Sequence, residues 1–195
     1  MFNRRFLRIK AFQALYAYQQ DESPNRSLHE KNLQRSLDKA TELYIFLLAF
    51  PKAFREFVSL ELDTQKNKYI PVQTLITPLE AIANNKAILL IENSTEVSEA
   101  VKKHKVIWNN TRDLFKELIQ LVKKNKLFIQ YTQKNNPTFT DDKLILNEII
   151  EVLIAESDIF ENYIEDHFIN WEDDQVLVCG QVLKTIAELN ENQTT

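Results

Sequence analysis

At 195 residues and 23.0 kDa, with 44% hydrophobic residues, one cysteine (Cys179) and a net charge of −4, the chain can bury about 70% of its unfolded surface without disulfides, as expected of a protein of the reducing cytoplasm. Gly180 is the only glycine where average usage of about 7% gives roughly fourteen, which excludes phosphate-cradling loops, dinucleotide turns and tight hairpins that need positive φ or close backbone approach. Arg4, Arg5, Arg8 and Lys10 interrupt the first apolar stretch and no apolar run reaches bilayer length, so neither a secretory signal nor a membrane span is expected.

Residues 3–20 read as a helix, because Phe6, Ile9, Gln13, Tyr16 and Gln20 recur at spacings of three and four with no proline between them. Asp21 to Asn25 ends it. A second helix is predicted from Ser27, with Ser27 and Glu30 as a capping box, through Leu33, Leu37, Ala40, Leu43 and Leu47 to about Phe50. Pro51 should kink or restart the chain, since its ring lacks a donor and clashes with the preceding turn. A helical stretch from Lys52 to about Glu61 and a polar linker over 63–68 follow. Thr77-Pro78-Leu79-Glu80 signals a helix start running to about Glu92, with Asn93, Ser94 and Thr95 offering the next cap. Helical pattern continues through Val101 and, after Trp108, from Asp113 to Tyr131. Asn135-Asn136-Pro137 marks a boundary.

Beyond it, Asp141 to Glu156 is apolar on several sides, the pattern of a helix buried nearly all round. A short helix near Ile159 to Phe168 and a last one from Trp171 to Leu189 complete an all-α chain, with 191–195 expected to be disordered. Charge is unevenly divided. Residues 1–20 carry four bases and no acid, 101–126 carry eight bases against two acids, and 127–195 carry three bases against fourteen acids, a net of −11. Such polarity suits an anionic partner on one face and a basic one on another.

Few residues point to catalysis. His29, His104 and His167 lie on different predicted elements, so no metal-ligand pair is expected, and the bland reading as exposed or hydrogen-bonded helix residues fits them. Cys179 sits on an apolar stripe as a small hydrophobe. Glu172, Asp173 and Asp174 fall in the first turn of the last helix, where acids complement the macrodipole. Trp108 and Trp171 read as packing anchors. No catalytic group, metal or cofactor is predicted.

The first helix is different. At about 100° per residue Arg4, Arg8 and Arg5 share one quadrant with no acid nearby, and like charges at this spacing repel unless an anion answers them. Gln13, Tyr16 and Tyr18 add hydrogen-bonding and stacking capacity of the kind single-stranded nucleic acid binding uses. An acidic protein or a membrane surface is the alternative partner for such a helix.

Arg4-Arg5-Phe6-Leu7-Arg8 followed by Gln13-Ala14-Leu15-Tyr16 resembles the opening of the NusB transcription-antitermination family, and Thr138 to Leu189, with Asn170-Trp171 before its last amphipathic run, is similar to that family's later core helices. The resemblance implies a NusB-like helical bundle organised as a basic first helix (1–20), an inserted helical segment (21–136), core helices (137–190) and a tail (191–195). Family members continue into a closing Phe-x-Asn-Gly helix with no counterpart here, so the likeness is to a long variant lacking the usual C-terminal helices. By resemblance, Arg4, Arg5, Arg8, Lys10 and Gln13 would contact boxA-type single-stranded RNA, and Tyr16 and Tyr18 would face NusE, a ribosomal protein acting as transcription factor. The implied role is to help elongating RNA polymerase pass terminators. A helical adaptor that docks a basic partner without RNA is the other expectation.

Overall fold

The computed structural model describes residues 4–168 and 170–191. Among them the chain forms ten α-helices and no strand. These are α1 (Arg4–Gln20), α2 (Arg26–Lys66), α3 (Gln73–Ala83), α4 (Lys86–Asn93), α5 (Thr95–His104), α6 (Arg112–Lys124), α7 (Lys126–Thr132), α8 (Phe139–Glu156), α9 (Asp158–His167) and α10 (Trp171–Ala187). The all-α expectation therefore holds. Asn3 and the tail residues 192–195 lie outside the described residues.

The spine is α2, 41 residues long and about 62 Å at 1.5 Å per residue. Against it pack α1, α3, α4, α5, α6 and α10. Its start is capped by Asn25, whose side chain accepts from Leu28 N at 3.2 Å, rather than by Ser27; Arg26 pairs with Glu30 at 2.8 Å instead. The helix also continues unbroken through Pro51. Pro51 removes one backbone donor, but it lies in a stretch held in the interior, where Phe50 and Phe54 are buried and their rings stack at 5.4 Å. The predicted linker at 63–68 is mostly helical, because α2 reaches Lys66.

Asparagine caps set two of the other breaks. The stretch predicted from Pro78 to Glu92 begins five residues before Pro78, at Gln73, and divides at Asn84 and Asn85, where Asn85 caps α4 by accepting from Ile88 N at 3.0 Å. Asn125 likewise separates α6 from α7, accepting from Leu127 N and Phe128 N. Thr138 and Asp141 form a reciprocal capping box that starts α8 at Phe139. With glycine nearly absent, Lys105 and Asn110 take the left-handed backbone conformation at φ 53° and 54°.

One apolar cluster runs from Phe6 through α2, α4, α6 and α8 to Ile186. The stretches read as insertion (21–136) and core (137–190) thus share a single interior, and the Asn135-Asn136-Pro137 boundary is a surface loop that does not divide it. Trp108 is an anchor as expected: its ring stacks on Phe46 at 4.1 Å and its Nε1 donates to Phe46 O at 2.9 Å. Trp171 is buried edge-on to Phe160 at 5.7 Å. Inside the bundle, Asp142 ties three helices together. It accepts from Tyr131 Oη at 2.5 Å and Lys86 N at 3.1 Å, and its carbonyl accepts from Asn85 Nδ2 at 2.9 Å. Burial and the neighbouring Asp142 carboxylate push the Tyr131 hydroxyl well above its ordinary range.

Candidate nucleic-acid interface

Helix α1 packs on α2, and its buried side chains, Phe6 and Lys10, lie one turn apart. Phe6 enters the apolar cluster. Lys10 is only 4% exposed, and its Nζ lies 2.5 Å from Oδ1 of Asp174, itself buried in the first turns of α10. Its ammonium also stands 5.8 Å from the centre of the Phe6 ring. Two expectations are corrected here. Lys10 is an interior cation and is not presented to an RNA, and Asp174 serves as its counterion in addition to standing near a helix N-terminus. The remaining acids of that turn, Glu172 and Asp173, are exposed and complement the α10 macrodipole as predicted.

Fixing Phe6 and Lys10 inward fixes the opposite face. Measured from Arg4 at about 100° per residue, Leu15, Arg8, Phe12, Arg5 and Tyr16 project at about 20°, 40°, 80°, 100° and 120°, whereas Phe6 and Lys10 fall at about 200° and 240°. Arg4, Arg5 and Arg8 are exposed, and among the described residues none has a carboxylate within ion-pair distance. The same face continues into large apolar side chains, Phe12 at 69%, Leu15 at 67% and Tyr16 at 57% exposed. Scattered exposed apolar residues are ordinary, but three on consecutive turns of one stripe are not. Arginine therefore occupies one end of the stripe and aromatic surface the other, over about 18 Å of helix from Arg4 to Tyr16.

Not all predicted site residues join this face. Gln13 is exposed but projects about 180° from Arg4, on the Lys10 side. Tyr18 turns toward α2, where its ring meets His29 edge-on at 5.3 Å. His29 Nε2 in turn lies 2.9 Å from Oδ2 of Asp21, and this bond, with a second from Ser23 N, draws the Asp21 carboxyl below its ordinary range. These contacts brace the turn from α1 to α2. Phe12 and Leu15 were not among the predicted site residues, although the angular arithmetic that groups the arginines also places these two beside them.

Elsewhere, Cys179 is buried and desolvation pushes its thiol up to about 12, which suits a packing residue and not a nucleophile. Among the described residues no group of three or more histidine, cysteine or acidic side chains is placed to hold a metal, and no helix is long and apolar enough to cross a membrane. The basic residues Lys102, Lys103, Lys123 and Lys124 fall in the last turns of α5 and α6, where they complement those helix C-termini. Compared with family models, with curated proteins and with solved structures, the chain finds no match.

Proposed function

We propose that the chain is a non-catalytic RNA-binding factor of the NusB type, which holds boxA-like single-stranded RNA on the free face of α1 together with NusE and acts on elongating RNA polymerase. The observation that carries this reading is the set of three exposed arginines with no acidic partner among the described residues, continued by Phe12, Leu15 and Tyr16. The guanidiniums suit phosphates, and the aromatic end suits unstacked bases, the combination used for single strands. Rigid docking through Phe6 and the Lys10–Asp174 pair holds the face in place before any ligand arrives, which lowers the ordering cost of binding.

Fluorescence anisotropy with a boxA-containing RNA, with and without NusE, tests the proposal. Three arginine contacts predict a log–log salt slope of about −2. The triple variant R4A/R5A/R8A should flatten that slope and lose most of the affinity, and F12A/Y16A should weaken binding with the slope kept. Unchanged affinity in the triple variant refutes the reading. The exposed Phe12 and Leu15 also favour a second one, an adaptor that docks a protein through this stripe. F12A/L15A then abolishes capture of a ribosomal protein after nuclease treatment, while the arginine variant leaves it intact.

A further inference from the structure

On the Lys10 side of α1, away from the arginines, α2 and the junction of α9 with α10 enclose a cleft of about 390 Å³. Asn32, Arg35, Ser36 and Lys39 line it from α2, and His167, Phe168 and Asn170 from the junction, with Leu43 and Asp174 also bordering it. Its size falls in the range of small-molecule sites.

The charges inside it do not cancel. Asp174 is ion-paired with Lys10 at 2.5 Å, and Lys39 pairs with Glu42 at 2.7 Å. Glu172 and Asp173 do not line the cleft. Arg35 has no carboxylate partner among the described residues, so one guanidinium remains unanswered in a concave site. His167 donates its Nδ1 proton to Tyr163 O at 2.7 Å, which holds the ring in place. Asn170 stands at the α10 N-cap and makes no side-chain cap bond. Beside Arg35, the Ser36 hydroxyl and the Asn32 and Asn170 amides are further groups able to donate to an oxyanion.

Two rings, His167 and Phe168, and Leu43 complete the lining. His167 stacks on Tyr163 at 4.4 Å between ring centroids and lies nearly parallel to Phe46, while Phe168 and Leu43 form buried wall. An anion-binding rim beside an aromatic shelf matches a phosphate joined to a planar base. We propose that this cleft binds a nucleoside monophosphate, free or as the phosphorylated end of an RNA, with its phosphate on Arg35 and its base against His167 and Phe168. The proposal stands independently of the α1 interface.

Isothermal titration of the full chain with adenosine monophosphate, beside inorganic phosphate as reference, tests it. Saturable binding is expected, weakened about tenfold or more by R35Q, which removes the cation under the phosphate, and by H167Q, which removes the ring against which the base lies. Both side chains are exposed, so circular dichroism should show both variants folded. R4A/R5A/R8A should bind the nucleotide as the wild type does, which separates this site from the RNA face. In that triple variant, competition by 5′-phosphorylated but not 5′-hydroxyl RNA identifies an RNA end as the source, and competition by neither identifies the free nucleotide. The absence of saturable binding, binding that survives both R35Q and H167Q, or inorganic phosphate bound as tightly as the nucleotide overturns the proposal.

Discussion

Replacing Lys10 by methionine strands a carboxylate inside the protein. Asp174 is only 2% exposed and its one ion-pair partner among the described residues is the Lys10 ammonium at 2.5 Å. Removing one member of a buried pair leaves an uncompensated charge and costs about 3–5 kcal/mol, whereas replacing both members by apolar groups of similar volume is neutral or stabilising by about 1–4 kcal/mol. K10M should therefore be strongly destabilised and K10M/D174L should recover. With a urea m-value of about 2–3 kcal/mol/M for a chain of this size, the single variant lowers the unfolding midpoint by about 1–2.5 M. Helical circular dichroism followed across a urea gradient measures both. A midpoint shift below about 0.5 M for K10M, or a double variant no better than the single one, would refute the assignment of the pair as buried and mutually dependent. The same pair bears on function: because Lys10 faces inward, K10M/D174L should keep the RNA affinity of the wild type while the arginine variants lose it.

Gly180 lies mid-helix in α10, exposed, and a Cβ there meets nothing within 4 Å, so G180A should stabilise the protein by about 0.5–1 kcal/mol through lower backbone entropy in the unfolded chain; thermal unfolding checks it, and a lowered Tm contradicts it. Lys134 at 2.7 Å, together with the backbone and hydroxyl of Thr138, holds the Asp141 carboxyl near about 2, below its ordinary 3.8. A depressed folded-state value means the contribution is complete above about pH 4 and is lost as the pH falls toward 2. The gap in urea midpoint between wild type and D141N should close across that window, and a gap that stays constant down to pH 2 contradicts the pairing.

Much of the helical layout can be read from spacing, because an apolar period of three to four residues is a local property. The arginine quadrant is legible for the same reason, since one helix and its pitch suffice to place Arg4, Arg5 and Arg8 together. Burial of Lys10 is not legible. Periodicity puts Lys10 one turn from Phe6, but only the arrival of α10 shows that this direction leads inward and that a carboxylate waits there. Asp174 was hidden by a competing local explanation, because acids near a helix N-terminus need no further cause. The misplaced breaks divide similarly. Pro51 is a strong local stop signal overruled by burial of the helix on either side of it, while Asn85 and Asn125 are modest signals whose capping bonds decide the matter.

The bond between Lys10 and Asp174 also has a temporal side. The two residues are 164 positions apart, so at roughly 5–20 residues per second the ribosome makes the carboxylate about 8–33 s after the lysine. During that interval the nascent α1 carries a fourth unanswered cation and an unburied Phe6, and its seat in the body does not yet exist. The arginine helix is thus born early and locked late, and any companion that meets the emerging chain meets a more basic and looser version of it than the finished molecule offers.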